Sequence, residues 1–231
     1  EFKKINDPVE NVNRVVFGVN QVFDKVILKP VTFAYRSLTP NFFRKGVSNF
    51  LHNLKSPVIL VNDILQGEIG RAGDTVARFV INSTVGIFGL MDVAENLGFE
   101  QHNEDFGQTL AVWGFGEGPY LMLPILGPSN PRDAIGRVVD FFVDPINWWV
   151  APDDNRIPII RAAVSAIDLR DRLWENLEEI DKNSIDPYAS YRSMYRQRRN
   201  DEIRNGSNSQ SKTDLEPTKP TYELAEPSLT E

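Results

Sequence analysis

The sequence contains no cysteine and only two histidines, His52 and His102. The first absence excludes disulfides, thiolate metal sites and cysteine nucleophiles. The second argues against a catalytic zinc centre, which needs a convergent ligand set. We predict no metal site and no cofactor. No run of residues approaches the ~18–20 uninterrupted apolar positions of a membrane-spanning helix. There is no P-loop ending in GK[ST] and no G-x-S-x-G elbow, and strand-like runs are scarce. At −7 overall, the 231-residue chain is also too acidic for a nucleic-acid binder.

That net charge hides an asymmetry. From residue 11 to residue 55 stand Arg14, Lys25, Lys29, Arg36, Arg44, Lys45 and Lys55, opposed only by Asp24. A basic sector on an acidic protein suits a local anionic partner such as lipid headgroups. A solvated basic helix face is the alternative.

Helical signals dominate the rest. Asp7-Pro8-Val9-Glu10 has the order of an N-cap, a first-turn proline and a capping-box acid. Val9, Val12, Val16, Val19, Phe23 and Val26 then recur at three- and four-residue steps, giving one apolar stripe that ends near Lys29-Pro30. A short helix to Leu38 follows. Thr39-Pro40 opens an amphipathic helix carrying Phe43, Val47, Phe50, Leu51 and Leu54. Ser56-Pro57 restarts the chain as a helix ending at Gly67. A further helix, over about 71–82, should turn Val76, Phe79 and Val80 inward. Another covers 132–142 and stops at Asp144-Pro145. The longest is expected from Pro158 to Lys182, and Asp186-Pro187 caps a last one bearing Tyr188, Tyr191 and Tyr195. Residues 1–199 read as one all-α domain and residues 200–231 as a disordered polar tail.

The stretch from Glu104 to Asp133 departs from this pattern. It holds five glycines and four prolines, and its only charge between Phe106 and Pro131 is Glu117. No ordinary helix tolerates that composition, and surface loops are rarely so apolar. It predicts an irregular apolar hairpin, either packed in a core or facing lipid. Gly114, Gly116 and Gly118 supply freedom to move, and Phe106, Trp113, Phe115, Tyr120, Leu121 and Leu123 supply apolar surface. Trp148 and Trp149 suit a bilayer interface or core packing. Arg132, Asp133, Arg14 and Glu10 are candidates for buried structural pairs. His102 beside Glu104-Asp105 has the look of a base with orienting acids, so a phospholipase-like hydrolase stands as an alternative.

Taken in order, several motifs resemble the MlaA (VacJ) family of outer-membrane phospholipid-transport lipoproteins. They are Asp7-Pro8-x-Glu10-x-x-Asn13-Arg14; Asn53-Leu54-x-x-Pro57 with Asn62-x-x-Leu65-Gln66-Gly67; and Arg78-Phe79-x-x-Asn82 with Asp92-Val93-Ala94. They continue with Glu104-Asp105-Phe106-Gly107-Gln108-Thr109-Leu110, Gly114-x-Gly116-x-Gly118-Pro119-Tyr120 and Asp186-Pro187-Tyr188. The resemblance implies a ring-like, monotopic helical lipoprotein in the periplasmic leaflet of a Gram-negative outer membrane. It implies a trimeric porin and a soluble periplasmic phospholipid carrier as partners, no enzymatic activity, and the removal of misplaced outer-leaflet phospholipids through an amphipathic channel. The family's lipid-modified cysteine is expected upstream of Glu1. Arg14, Lys25, Lys29, Arg36, Arg44 and Lys45 are then candidates for headgroup or membrane-surface contacts, and the hairpin residues for the lipid path. A porin-associated scaffold without transport is the competing reading.

Overall fold

The computed structural model describes residues 6–150 and 156–205. Ten α-helices and one two-stranded hairpin make up its regular structure, with two π-helical turns. Among the described residues, no helix is long and apolar enough to cross a membrane.

Helix α1 (Glu10–Phe23) passes through a π-helical turn at Asp24–Leu28 into α2 (Lys29–Leu38), forming one rod. Pro30 therefore does not end the helix. The turn shifts the hydrogen-bond ladder to i→i−5, with Lys29 N donating to Asp24 O, so the donor that proline lacks falls where the regular ladder is already broken. Asp7 is not a cap either. Its carboxylate accepts from Asn13, Tyr188 and Arg192, joining the chain's two ends.

Helix α3 (Asn41–Gln66) runs unbroken through Pro57, so Ser56-Pro57 does not restart it. At ~1.5 Å per residue its 26 residues span about 39 Å, making it longer than any other described helix. It closes at Gly67, φ +79°, and the chain folds back as α4 (Ile69–Thr84). A single-turn α5 (Val93–Asn96), capped by Asp92, and α6 (Phe106–Val112), capped by Asp105, follow. Strands β1 (Leu121–Leu123) and β2 (Gly127–Ser129) pair antiparallel with Met122 opposite Pro128. Helix α7 (Pro131–Val143) starts from an Asn130 cap. The predicted 158–182 helix is two, α8 (Arg156–Arg172) and α9 (Trp174–Asn183), broken at Leu173. Helix α10 (Pro187–Ile203), capped by Asp186, continues past residue 199. The tail beyond residue 205 lies outside the described residues.

Polarity is distributed the reverse of the usual way. Among the described residues, buried polar and charged side chains outnumber buried apolar ones by more than two to one. The small apolar core is Tyr120, Met122 and Tyr188, with Val16, Phe17 and Tyr195 against it. Val76, Phe79 and Val80, expected inward, are exposed, while Ala72, Thr75, Arg78 and Asn82 form the buried side of α4. Likewise Val12, Val15, Val19, Val22 and Val26 make an unbroken outward stripe, each at least 60% exposed. On the other side of α1, Asn13 is buried and Val16 and Phe17 reach the core.

Candidate functional site

A polar seam runs along α3 where α4, α6 and α7 meet it. Lys55, Asn62 and Gln66 share one side of the helix, seven and four residues apart. Gln66 Nε2 donates to Glu104 (2.8 Å) and to Thr109 Oγ1 (3.2 Å). Thr109 donates to Asn62 Oδ1 (2.7 Å), and Asn62 Nδ2 donates to Asp140 (3.0 Å). Asp140 also accepts from Phe106 N at 3.1 Å. These groups connect three helices in one chain of hydrogen bonds, and Glu104 is further paired with Arg71 at 2.7 Å. Burial pushes the Glu104 and Asp140 carboxyls up, against the pull of these donors.

The seam's second strand joins α3 to α4. Asp63 is fully buried. It accepts from Thr75 Oγ1 at 2.6 Å and lies 3.1 Å from His102 Nε2. His52 Nε2 donates to the His102 carbonyl at 2.9 Å. Burial lowers the His52 pKa to about 4, aided by Lys55 and Arg78 and opposed by that carbonyl. His102, Glu104 and Asp105 therefore diverge to Asp63, Arg71 and Arg199 rather than converging on one reacting atom.

A junction of charges holds the ends of the Gly/Pro-rich stretch. Arg199 of α10 forks onto Asp105 with two 2.6 Å bonds and reaches Asp133 at 3.0 Å. Asp133 also accepts from Tyr195 and pairs with Arg132 at 3.1 Å. Burial alone would raise the Asp105 carboxyl, but the Arg199 guanidinium outweighs it and holds Asp105 well below the usual carboxylate range. Helices α6 and α7 cross here backbone to backbone. A Cβ on Gly136 would stand 2.3 Å from Gly107 N, so no side chain fits.

Within the stretch, the strands are gripped from α1. Asn13 donates to Tyr120 O (3.0 Å) and accepts from Met122 N (2.9 Å). Asn20 repeats the pattern three residues on, with Leu123 O (2.9 Å) and Ile125 N (2.8 Å). Two asparagines seven residues apart thus cover the free edge of β1. Leu121 and Leu123 are half-buried on that strand, and Tyr120 lies in the aromatic core rather than on the apolar surface expected of it. Residues 113–118 differ. Trp113, Gly114, Phe115, Gly116 and Gly118 are exposed, with Phe106 set edge-on to Trp113 at 5.8 Å. Glu117 ties this loop to Arg196 of α10 at 3.1 Å.

The predicted basic contacts divide. Arg14 pairs with Glu10 and Asp186, Lys29 with Glu178, Arg36 with Asp171 and Glu175, and Arg44 with Asp171. The Arg14–Glu10 pair is exposed, whereas the expected Arg132–Asp133 pair is buried. Lys25 and Lys45 are exposed and, among the described residues, unpaired. Trp148 stacks on Phe142 at 5.7 Å and stays half-exposed; the Trp149 side chain lies outside the described residues. Sequence reading missed Asn20, Asp63 and Thr75. Polar Asn62-Asp63 inside the apolar run VILVNDIL was the available signal.

Two clefts flank these sites. They measure about 180 Å³ beside His52 and His102, and about 270 Å³ beside Glu117 and Tyr120.

A model of the family described as MlaA lipoprotein matches residues 5–202. An uncharacterized protein of Rickettsia bellii is 36% identical over 198 residues, covering 85% of this chain and 76% of that one. The intermembrane phospholipid transport system lipoprotein MlaA of Escherichia coli is 34% identical over 205 residues, covering 87% and 79%. A solved structure described as "Structural basis for maintenance of bacterial outer membrane lipid asymmetry" superposes with a TM-score of 0.73. Its sequence identity is 33%, over 85% of this chain and 98% of that chain.

Proposed function

This chain belongs to the MlaA lipoprotein family, and from that premise we propose that it removes phospholipids from the outer leaflet of a Gram-negative outer membrane. It passes them to a soluble periplasmic carrier while seated in the periplasmic leaflet beside a trimeric porin. A lipid anchor upstream of Glu1 and the apolar exterior hold it there. Relatives carrying this role are named as transport lipoproteins rather than enzymes, and the chain itself is proposed to be non-enzymatic.

The observation that carries the reading is the inverted polarity. An exterior of exposed Val, Ile and Phe over a hydrogen-bonded polar interior is what a protein surrounded by acyl chains requires. The same division provides two routes for one amphipathic molecule. Moving a two-tailed lipid through water exposes its chains at ~0.8 kcal/mol per CH₂, on the order of 20 kcal/mol in total. Apolar surface keeps the tails out of water, and polar groups beside the seam receive the headgroup.

Transfer of phospholipid between vesicles and a soluble carrier tests this, with and without porin. Protein-dependent transfer of intact lipid supports the proposal. Cross-linking the loop to α10 through E117C/R196C with a short thiol reagent should abolish transfer if the loop must move, in a chain that has no other cysteine. Gly116→Phe is a second probe, because its Cβ meets open space and its φ is unrestricted, unlike Gly114 at φ +92°.

A porin-associated scaffold without transport is the competing reading. A folded, membrane-bound protein that transfers nothing in any partner combination selects the scaffold.

A further inference from the structure

The polar column on α3 is unequal along its length. Gln66 and Asn62 are fully engaged with Glu104, Thr109 and Asp140. Lys55, seven residues before Asn62 on the same side, is half-buried and has no hydrogen-bond or ion-pair partner among the described residues. Half-buried cations normally find a partner, because an unpaired one loses hydration without compensation. The other basic residues of this sector behave as expected: Arg14, Lys29, Arg36 and Arg44 all reach carboxylates, and Lys25 and Lys45 stand out in solvent.

Lys55 is also set against the seam's acids. It is close enough to act on Asp105, Asp140 and His52. Asp105 is already forked onto Arg199, and Asp140 is held by Asn62 and the Phe106 amide, so neither closes on the ammonium.

We propose that Lys55 binds the phosphate of a glycerophospholipid headgroup where the polar seam of α3 begins. This rests on the lipid-transport reading and adds to it the group that selects phosphate-bearing lipids. A lysine ammonium suits this task as a compact charge with three donors, worth on the order of tenfold in affinity when one charge-assisted contact is lost.

Two measurements test it. In the first, an amine-reactive probe labels the full chain, reconstituted with phosphatidylglycerol or with diacylglycerol of the same tails, and peptide mapping reports labelling at Lys55. Protection by phosphatidylglycerol alone is expected. Equal labelling in both, or equal protection in both, overturns the proposal. Inorganic phosphate at 10–100 times the lipid concentration, roughly the excess that would fill a weak ion site, distinguishes a free-anion site. Protection by phosphate without lipid overturns the headgroup assignment. This readout does not require transport, so a chain that binds but does not transfer sinks the transport reading without touching Lys55.

The second compares transfer rates in Lys55→Met and Lys55→Arg. Lys55→Met should slow phosphatidylglycerol about tenfold and leave diacylglycerol unchanged, and Lys55→Arg should retain most of the phosphatidylglycerol rate. Equal loss for both lipids, or no loss for either, points to a merely structural lysine.

Discussion

The outward side of α1 and the Arg199 junction occupy opposite extremes of one molecule. The first displays Val12, Val15, Val19, Val22 and Val26 with nothing over them. The second buries Asp133, Arg132 and Arg199 together, with Asp105 half-buried beside them. In a water-soluble domain the two would be exchanged. Their arrangement puts hydrogen-bonded charge inside and apolar surface outside. Paired buried charge is a modest stabiliser, but removing one partner is severe. Exposed valines contribute little to folding and much to the choice of surroundings.

That contrast yields a graded series of expectations. Arg199→Ala should have the largest effect on folding, losing ~3–5 kcal/mol because the buried Asp133 and the half-buried Asp105 are left without their cation. Chemical denaturation in detergent or nanodiscs measures it, and a loss under ~1 kcal/mol would break the claim that the interior is held by charge.

Protonation of His52 comes next. Its folded pKa is depressed to about 4, below the ordinary ~6.5, so the fold favours the neutral ring. The contribution is fully present above pH ~6.5 and is lost as pH falls toward 4, amounting to ~2–3 kcal/mol. Glu104 and Asp140, with raised values, act in the opposite sense over acid pH. The test is therefore the difference between wild type and His52→Gln across pH 4–7: it should vanish if burial of the ring has no role.

Asn13→Ala should cost ~1–3 kcal/mol, since Tyr120 O and Met122 N lose buried partners. Hydrogen exchange at the Met122 amide should quicken with it. The smallest folding effect belongs to Val15→Glu/Val19→Glu/Val22→Glu, within ~0.5 kcal/mol per site in detergent. Its flotation with liposomes should nevertheless collapse. Unchanged flotation would show that this stripe does not face lipid.

Arg199 holds the Asp105 pKa low, so the share of stability from Asp105 is complete above ~3.9 and fades only as acid pushes below that value.

Much of the architecture was written locally. Gly67 ends α3, Asp144-Pro145 stops α7 and Asp186 caps α10, as their residue types require. The glycines and prolines of residues 104–133 excluded a continuous helix and left a hairpin, which forms at 121–129. The candidate site was far less legible. Asp7 looked like a cap and instead binds the Asn13 side chain and the distant Tyr188 and Arg192, because two donors from α10 hold its carboxylate away from the first backbone amides of α1. Pro57 looked like a break, yet α3 continues through it under the packing of α4.

Sequence alone determined that these helices have two unlike sides, since a 3.6-residue period in polarity needs no partner to be visible. Only the tertiary structure decided which side turns inward. Periodicity records that Val12, Val15 and Val19 belong together, not what medium they meet. That choice follows from whether Asn13, Asn62, Asp63 and Arg199 find partners across the interior, and Tyr120, Thr109, Thr75 and Asp105, which supply them, lie between 12 and 107 residues away along the chain.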